Sequence, residues 1–298
     1  MNNLASKDWT TTKQRLTPYL FLFPAFLLLI LTVFYPALQG FYLSFTRYEN
    51  IALPPEWVGL LNFQRLFKDP VFWQTLGNTV IYLLGVVPIL VIFPLGLAVL
   101  VNQKLRGIAW FRAAYYTPVV ISMVVAGIAF KWLYADRGLL NQFLKHFRLF
   151  PEGIPWLTSP KFALFSVMLV TIWKGLGYYM VIYLAGLQSI PGDIYEAAAI
   201  DGSDGFRKHL DITVPLMKPY LALVAVISAI SATKVFEEVY VMTQGGPLNS
   251  SKTIVYYLYE QAFSNLEISY ACTIGLILFL FILTLSVIRL LIDRGNQV

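Results

Sequence analysis

A lysine, Lys174, interrupts one of the long apolar stretches of this sequence. A charged side chain in such a stretch is costly to desolvate, so it usually faces the interior of a helix bundle or a water-filled cavity. Residues three, four and seven apart share one face of a helix. On that face the hydroxyl, ammonium and phenol groups could bind a polar solute, or they could join neighbouring helices to one another. The residues of this face are Thr171, Lys174, Gly175 and Tyr178.

A second polar set lies on a later apolar stretch. Ser228 and Ser231 occur close together on one side of the predicted helix, and we expect them to line a solute pathway together with the face that carries Lys174. Lys234 and Glu238 follow at a spacing of four residues, which predicts an intramembrane ion pair in which each charge offsets the other.

Side chains that could hold a metal are sparse. The single cysteine, Cys272, excludes an intrachain disulfide and a thiolate metal cluster. The two histidines, His146 and His209, are far apart and lack metal-ligand spacing, so they are interpreted as surface residues. We therefore predict no metal and no catalytic residue.

Two glycine-containing segments resemble nucleotide-binding motifs without matching them. The segment 246–253 has Ser251 where a phosphate-binding loop needs glycine, and it follows an apolar helix instead of a strand. Gly175 and Gly177 begin a dinucleotide motif whose third glycine is missing. Within an apolar stretch such glycines favour close helix packing, so no cofactor is expected to bind to this chain.

The composition describes the environment of these residues. Hydrophobic residues make up 58% of the 298 positions and charged residues only 13%, whereas an ordinary soluble domain has about 25% charged residues. Such a composition excludes intrinsic disorder and predicts a polytopic membrane protein. The net charge of +6 favours contact with the headgroups of membrane lipid over binding to nucleic acid.

Six apolar stretches are long enough to cross a bilayer, which takes about 20 residues of helix. They predict an all-α membrane helix bundle of six transmembrane helices in a single domain, 1–298. An even number of spans puts both termini on one side, and a small excess of Lys and Arg predicts that this side is cytoplasmic. Prolines inside several stretches favour a packed bundle. The predicted spans are 19–40, 73–101, 112–134, 162–186, 219–242 and 268–290.

The segment 190–218, between the fourth and fifth predicted spans, is expected to form two short helices outside the membrane. Glu196 stands three residues after an aspartate, as in a capping box, and Gly202 ends this first helix. Phe206 and Leu210 lie four residues apart on one face of the second helix. Two interpretations stay open from these residues alone, a loop packed on its own bundle and an exposed apolar face that binds another protein.

The same segment carries the motif Glu-Ala-Ala-x-x-x-Gly, by which the chain resembles the membrane subunits of binding-protein-dependent ABC importers. The flanking segments 187–191 and 243–247, with Asn78-Thr79, look like the carbohydrate-uptake branch, the maltose-type permeases. The resemblance covers essentially the whole chain. Asp204 departs from the more usual apolar or aromatic pattern and is interpreted as surface variation. The residues that carry the motif and its continuation are Glu196, Ala197, Ala198, Asp201, Gly202, Ile212 and Pro215.

The resemblance implies a cytoplasmic coupling-helix pair that binds a separate ATPase subunit. It also implies four kinds of partner: a second homologous permease subunit, two ABC ATPase subunits that use ATP and Mg, an extracytoplasmic solute-binding protein, and a sugar-type solute. The location would be the bacterial plasma (inner) membrane, with both termini cytoplasmic. The residues implied in ATPase coupling are Glu196, Ala197, Ala198, Asp201, Gly202, Phe206, Leu210 and Pro215.

Two other functions would require different sequence features. A self-sufficient secondary transporter of a small polar solute would be favoured by inverted repeats and paired broken segments, and none is evident in the sequence. A membrane-embedded enzyme would need a clustered acid, base or metal set on the spans, and only Lys234 with Glu238 approaches one.

Overall fold

The computed structural model describes residues 18–48, 54–103 and 106–295. Helices make up nearly all of the regular structure in these ranges, which confirms the predicted all-α class. The strands there are two residues each, Thr46–Arg47 (β1) paired antiparallel with Glu56–Trp57 (β2). The N-terminal basic residues that support the predicted cytoplasmic N-terminus lie outside the described residues.

The helices range from one turn and a half to nearly nine turns in length. A π-helical turn interrupts α1 at Ile30–Phe34. In chain order the helices are α1 (Pro18–Ser44), α2 (Leu61–Lys68), α3 (Pro70–Val101), α4 (Ile108–Val120), α5 (Met123–Leu133), α6 (Leu139–His146), α7 (Ala163–Gln188), α8 (Gly192–Ile200), α9 (His209–Leu216), α10 (Lys218–Thr233), α11 (Glu237–Met242), α12 (Ile254–Tyr259, continued by a π-helical turn at Glu260–Ser264) and α13 (Ile268–Gly295).

Three helices of the described chain, α1, α3 and α7, are each long and apolar enough to cross a membrane. They coincide with the first, second and fourth predicted spans. Two bent pairs pass the same test when each pair is taken together: α4 with α5, bent by 97°, and α9 with α10, bent by 61°. The last predicted span lies within α13, which is helical over 28 residues.

The third predicted span, 112–134, is not one continuous helix. The chain is extended at Ile121, so α4 ends one residue earlier and α5 begins at Met123. Pro118 lies inside α4, three residues before the break, where it removes one N–H donor from the last turns of the helix. Both halves are apolar, so hydropathy alone could not reveal the bend.

The fifth predicted span, 219–242, is interrupted as well. α10 ends at Thr233, three residues follow outside any helix, and α11 begins at Glu237. The break leaves the carbonyl of Val235 without its helical partner, and the hydroxyl of Thr253 donates to it at 3.1 Å. A hydrogen bond from a distant segment therefore stabilises the interruption, which is a tertiary effect that the local sequence does not encode.

The described residues form two compact units. The first extends to Leu66 and includes Gln261–Ile277. In it the buried amide of Asn62 donates to the carbonyls of Ser44 and Thr46, at 3.0 and 2.8 Å, so α2 is held against the end of α1 and the start of β1.

The second unit contains Phe67–Glu260 and the chain from Leu278 onward. Its core lies largely between α3 and α7, where apolar and aromatic side chains are almost completely removed from solvent. They include Tyr82, Val86, Leu90, Val167, Met180 and Tyr183.

Glycines allow α7 to approach its neighbours closely. A Cβ atom at Gly177 would lie 2.0 Å from the carbonyl oxygen of Tyr115 on α4, and one at Gly175 would lie 2.8 Å from Cδ2 of Leu90 on α3. Real Cβ atoms do not come so near to backbone atoms, so α4 and α7 touch backbone to backbone at position 177. This confirms the expectation that these glycines serve helix packing.

Candidate functional site

A cavity of about 340 Å³ opens in the second unit, between α3, α7 and α10. All six residues predicted to form the polar pathway line it, and Glu238 lines it too. Apolar walls come from α3 and from the two residues on either side of the α4–α5 break, Val119 and Met123. The six predicted residues are Thr171, Lys174, Gly175, Tyr178, Ser228 and Ser231.

The side chain of Lys174 reaches the break between α4 and α5. Its ammonium donates a hydrogen bond to the carbonyl oxygen of Ile121, the residue at which the helix is interrupted. A helix end leaves carbonyl groups without intrahelical partners, and here a lysine from another helix supplies the donor. Ser228 and Ser231 line the same cavity as Lys174, but the ammonium donates to this backbone carbonyl.

A short chain of hydrogen bonds links α3, α7 and α11 at the cavity wall. The hydroxyl of Thr171 donates to Oε1 of Glu238 at 3.0 Å, and the phenol of Tyr82 lies 2.5 Å from the same hydroxyl. Since Thr171 has only one proton to give, Tyr82 is the donor to Thr171. Glu238 is 8% exposed, and a carboxylate so far removed from solvent needs such donors.

The predicted ion pair between Lys234 and Glu238 is not formed. The prediction assumed one continuous helix, in which residues four apart face each other, but α10 ends before Lys234 and α11 begins after it. Lys234 is exposed, and the salt bridges of the described residues do not include it. The carboxylate of Glu238 uses Thr171 on α7 instead.

The two serines of α10 differ in what they offer to the cavity. The hydroxyl of Ser228 is buried and donates within its own helix, to the carbonyls of Val224 and Ala225 at 2.7 and 3.1 Å. Ser231 is exposed, so its hydroxyl is accessible from the cavity. Sequence reasoning found both serines but missed Tyr82, because an aromatic residue within a charge-free helix gives no sign of a polar role.

The predicted coupling segment forms two short helices, α8 and α9, with an exposed apolar surface. Ile200, Phe206 and Leu210 expose 87%, 76% and 56% of their side chains. Gly202, between the helices, has φ of +80°, a backbone conformation that side chains other than glycine rarely adopt. The expected stop at Gly202 is therefore confirmed, and Ile200 is an exposed apolar residue that the sequence analysis did not single out.

The start of α8 differs from the expected capping box. The helix begins at Gly192 with Pro191 as its N-cap, and no side chain caps it. Asp193 lies in the first turn, where a carboxylate still interacts favourably with the helix dipole. Pro191 has a non-helical ψ of 139°, so the helix starts directly after it and one residue before the aspartate.

His209 joins the two short helices to each other. Its Nδ1 lies 3.1 Å from the hydroxyl of Thr213, which lies 3.2 Å from the phenol oxygen of Tyr195 on α8. Partial burial, followed by the charge of neighbouring Lys208, lowers the pKa of His209. The histidine is therefore part of the packing between α8 and α9, and not the simple surface residue that the sequence suggested.

The family profile described as "Binding-protein-dependent transport system inner membrane component" matches residues 67–297. The chain belongs to this family. Family membership confirms the resemblance drawn from the Glu-Ala-Ala motif and identifies the chain as a membrane permease component, in agreement with the expectation that it is not an enzyme. A multi-pass inner-membrane location follows from the family and from the long apolar helices.

Two relatives of this permease are similar over almost their whole length. The sulfoquinovosyl glycerol transport system permease protein SmoG of Agrobacterium fabrum (strain C58) is 35% identical over 97% of this chain and 94% of its own length. The lactose transport system permease protein LacF of Rhizobium radiobacter is 36% identical over 97% of this chain and 99% of its own length.

Solved structures share the fold of the permease. A chain from the crystal structure of a bacterial ABC transporter involved in the import of the acidic polysaccharide alginate has a TM-score of 0.85 and 22% identity, covering 97% of this chain and 99% of that chain. The alginate transporter in complex with an alginate pentasaccharide-bound periplasmic protein gives a TM-score of 0.85 at 21% identity, covering 97% of each chain.

Proposed function

We propose that this chain is the permease subunit of an ATP-driven importer that moves a sugar or sugar-like solute across the bacterial plasma membrane. The observation that carries the proposal is the cavity in which all six predicted pathway residues meet. Its ammonium, hydroxyl and phenol groups suit a polyhydroxylated solute, since sugar hydroxyls both donate and accept hydrogen bonds. Relatives that carry sulfoquinovosyl glycerol and lactose support the sugar class.

The partners in this proposal are a second homologous permease subunit, two ABC ATPase subunits and an extracytoplasmic solute-binding protein that delivers the solute. ATP and Mg are used by the ATPase subunits, and none is bound by this chain. The exposed surface of Ile200, Phe206 and Leu210 supports a cytoplasmic coupling role for α8 and α9, because an apolar patch outside the membrane is typical of a protein interface.

In the proposed topology the chain crosses the membrane six times and both termini are cytoplasmic. The bent pair α4–α5 then counts as one span, α10 with α11 forms the fifth span while α9 stays outside the membrane, and α13 supplies the sixth. Single cysteines at Ser6 and Ser250, each in a Cys272→Ala background, test this arrangement. We expect membrane-impermeant thiol reagents to reach them from opposite sides of the membrane, and reaction from the same side would contradict the topology.

Reconstitution tests the transport function. The chain would be assembled in vesicles with its partner permease and ATPases, and uptake of a labelled sugar would be measured with saturating binding protein while unlabelled sugars compete. We expect uptake to require ATP, the ATPases and the binding protein. Uptake by this chain alone, driven by an ion gradient, would instead identify the alternative, a self-sufficient secondary transporter of a small polar solute.

A further inference from the structure

The connection between α5 and α7, residues 134–162, carries a strip of exposed apolar side chains. Leu139, Phe143 and Phe147 repeat every four residues along α6 and the turn that follows it, so they share one side. Leu149 and Phe150 come directly after them, and each of the five is at least 50% exposed. The rings of Phe143 and Phe147 lie 4.6 Å apart. This connection is compact and lies entirely within the second unit.

The opposite side of α6 is buried and held by Asn141, which is 1% exposed. Its Oδ1 accepts hydrogen bonds from the backbone N–H of Ile154 at 2.9 Å and from Nε1 of Trp156 at 3.1 Å. Its Nδ2 donates to the carbonyl of Ile154 at 3.0 Å. These buried polar contacts of α6 therefore lie on the face away from the apolar strip.

Trp156 connects the buried side of α6 to the end of α5 and the start of α7. Its ring stacks on that of Tyr134, which caps α5, at 5.4 Å. Its carbonyl accepts a hydrogen bond from the hydroxyl of Ser166, in the first turn of α7, at 2.9 Å. These contacts place α6, which carries the strip, next to the first turn of α7, a candidate membrane span.

The helices on both sides of the apolar strip also carry exposed apolar residues. Trp132, at the end of α5, is 74% exposed, and Phe165 and Leu169 on α7 are exposed as well. In a membrane-spanning helix such residues contact lipid, and aromatic residues concentrate where a span leaves the bilayer.

Basic side chains accompany the strip. Arg137, Lys145, Arg148 and Lys161 are exposed, and the salt bridges of the described residues include none of them. Lys145 comes four residues after Asn141, so it projects from the side of α6 that lies opposite the strip. An apolar side combined with Lys and Arg on the polar side is typical of helices that lie in the membrane interface. Anionic lipid headgroups attract such charges.

We propose that α6 and the turn after it lie flat on the membrane, with the apolar strip among the lipids and with Lys145 and Arg148 on anionic phospholipid headgroups. The connection would then act as a second lipid contact of the permease, additional to its spans. This inference requires only that α7 spans the membrane. It does not depend on which solute is carried or on which side the connection lies.

Depth-dependent fluorescence quenching tests the proposal in the complete transporter. Single cysteines replace Phe143 or Phe147 in a Cys272→Ala background and carry an environment-sensitive fluorophore. Gln142→Cys is the matched control, because it lies on the same helix, is exposed and is turned by about 100° around the helix axis from Phe143. Vesicles contain doxyl-labelled phosphatidylcholine as the lipid quencher, iodide serves as the aqueous quencher, and Leu149→Cys replaces either variant if it does not assemble.

We expect doxyl lipid to quench the labels at 143 and 147 several-fold more than the label at 142, and iodide to give the reverse order. Equal iodide quenching at all three positions would overturn the proposal. Protection of the labels at 143 and 147 from both quenchers would also overturn the proposal, because a protein would then cover the strip. If this protection appeared only after the binding protein was added, the binding protein would be the protein that covers it.

A second arm tests the charges. Replacing one third of the phosphatidylcholine with phosphatidylglycerol should increase doxyl quenching at position 143. The double substitution Lys145→Gln with Arg148→Gln should remove this increase while the quenching in pure phosphatidylcholine stays unchanged. An increase that persists in the double variant would refute the assignment of these two side chains to anionic headgroups.

Discussion

Removal of the Lys174 ammonium tests the connection between the cavity and the bend in the third span. Lys174→Met keeps a similar length and apolar stem but deletes the donor to the carbonyl of Ile121. A hydrogen bond that involves a charged group contributes about 1.5–3 kcal/mol, which corresponds to roughly 10- to 140-fold in an equilibrium constant. Ile121 is only half-buried, so water can replace part of the loss, and the lower end of this range applies.

We expect Lys174→Met to assemble, to retain basal ATP hydrolysis and to lower uptake at saturating binding protein by about tenfold. The reason is that the variant loses both a solute-facing cation and the contact that holds the bend between α4 and α5. Uptake into reconstituted vesicles at matched protein content measures the effect. Lys174→Arg, which keeps a charged donor, should retain more uptake than the methionine variant.

Lys131→Met is the matched control, since it removes an exposed lysine from the last turn of α5 without touching the cavity. If Lys174→Met and Lys131→Met transported equally well at equal expression, the ammonium would have no role beyond packing. The assignment of this face of α7 to the solute pathway would then have to be abandoned.

Three further predictions follow from the other contacts. Glu238→Leu should lower the free energy of unfolding by about 1–3 kcal/mol, because it leaves the Thr171 hydroxyl without its acceptor, whereas Lys234→Met should change it by less than about 0.5 kcal/mol. Thermal unfolding of the purified assembly compares the two variants. Equal losses of stability would indicate that Lys234 and Glu238 form the ion pair after all. Gly202→Val strains a backbone with φ of +80° and should abolish solute-stimulated ATP hydrolysis while the basal rate remains, so retained stimulation would argue against coupling through α8 and α9. Because folding lowers the pKa of His209 below its ordinary 6.5, the folded segment opposes protonation; its stability should be constant above about pH 6.5 and should decrease as the pH falls below that value. Hydrogen exchange of residues 192–216 between pH 5.5 and 7.5 measures this, and the dependence should disappear in His209→Gln.

Helical periodicity predicted most of the cavity because it is a local property of the sequence. Thr171, Lys174 and Tyr178 belong to one uninterrupted helix, so their spacing alone determines that they share a face. The glycine at 177 was likewise recognisable, because glycine in an apolar helix has few other roles. The coupling motif is also local, and Gly202 ends the first helix as its position suggested, in the left-handed conformation that is common for glycine there.

The partners of the charged groups could not be predicted because they depend on where helices are interrupted. The break at Ile121 creates the acceptor for Lys174, and the break after Thr233 separates Lys234 from Glu238. Charge-free length and hydropathy are the same for a straight span and for two bent halves. Tyr82 joins Glu238 through Thr171 only after three helices have packed together.

The backbone contact between Gly177 and Tyr115 limits which helices of this permease can be exchanged with those of a relative to make a chimaera. Where two helices touch through side chains, each can be exchanged for that of a relative and the contact can repack. Where a carbonyl occupies the space of a missing Cβ, neither helix can shift by a fraction of an ångström without collision or a void. Chimaeras that exchange solute preference between relatives should therefore transfer α4 and α7 as one block, while α10 can be exchanged separately.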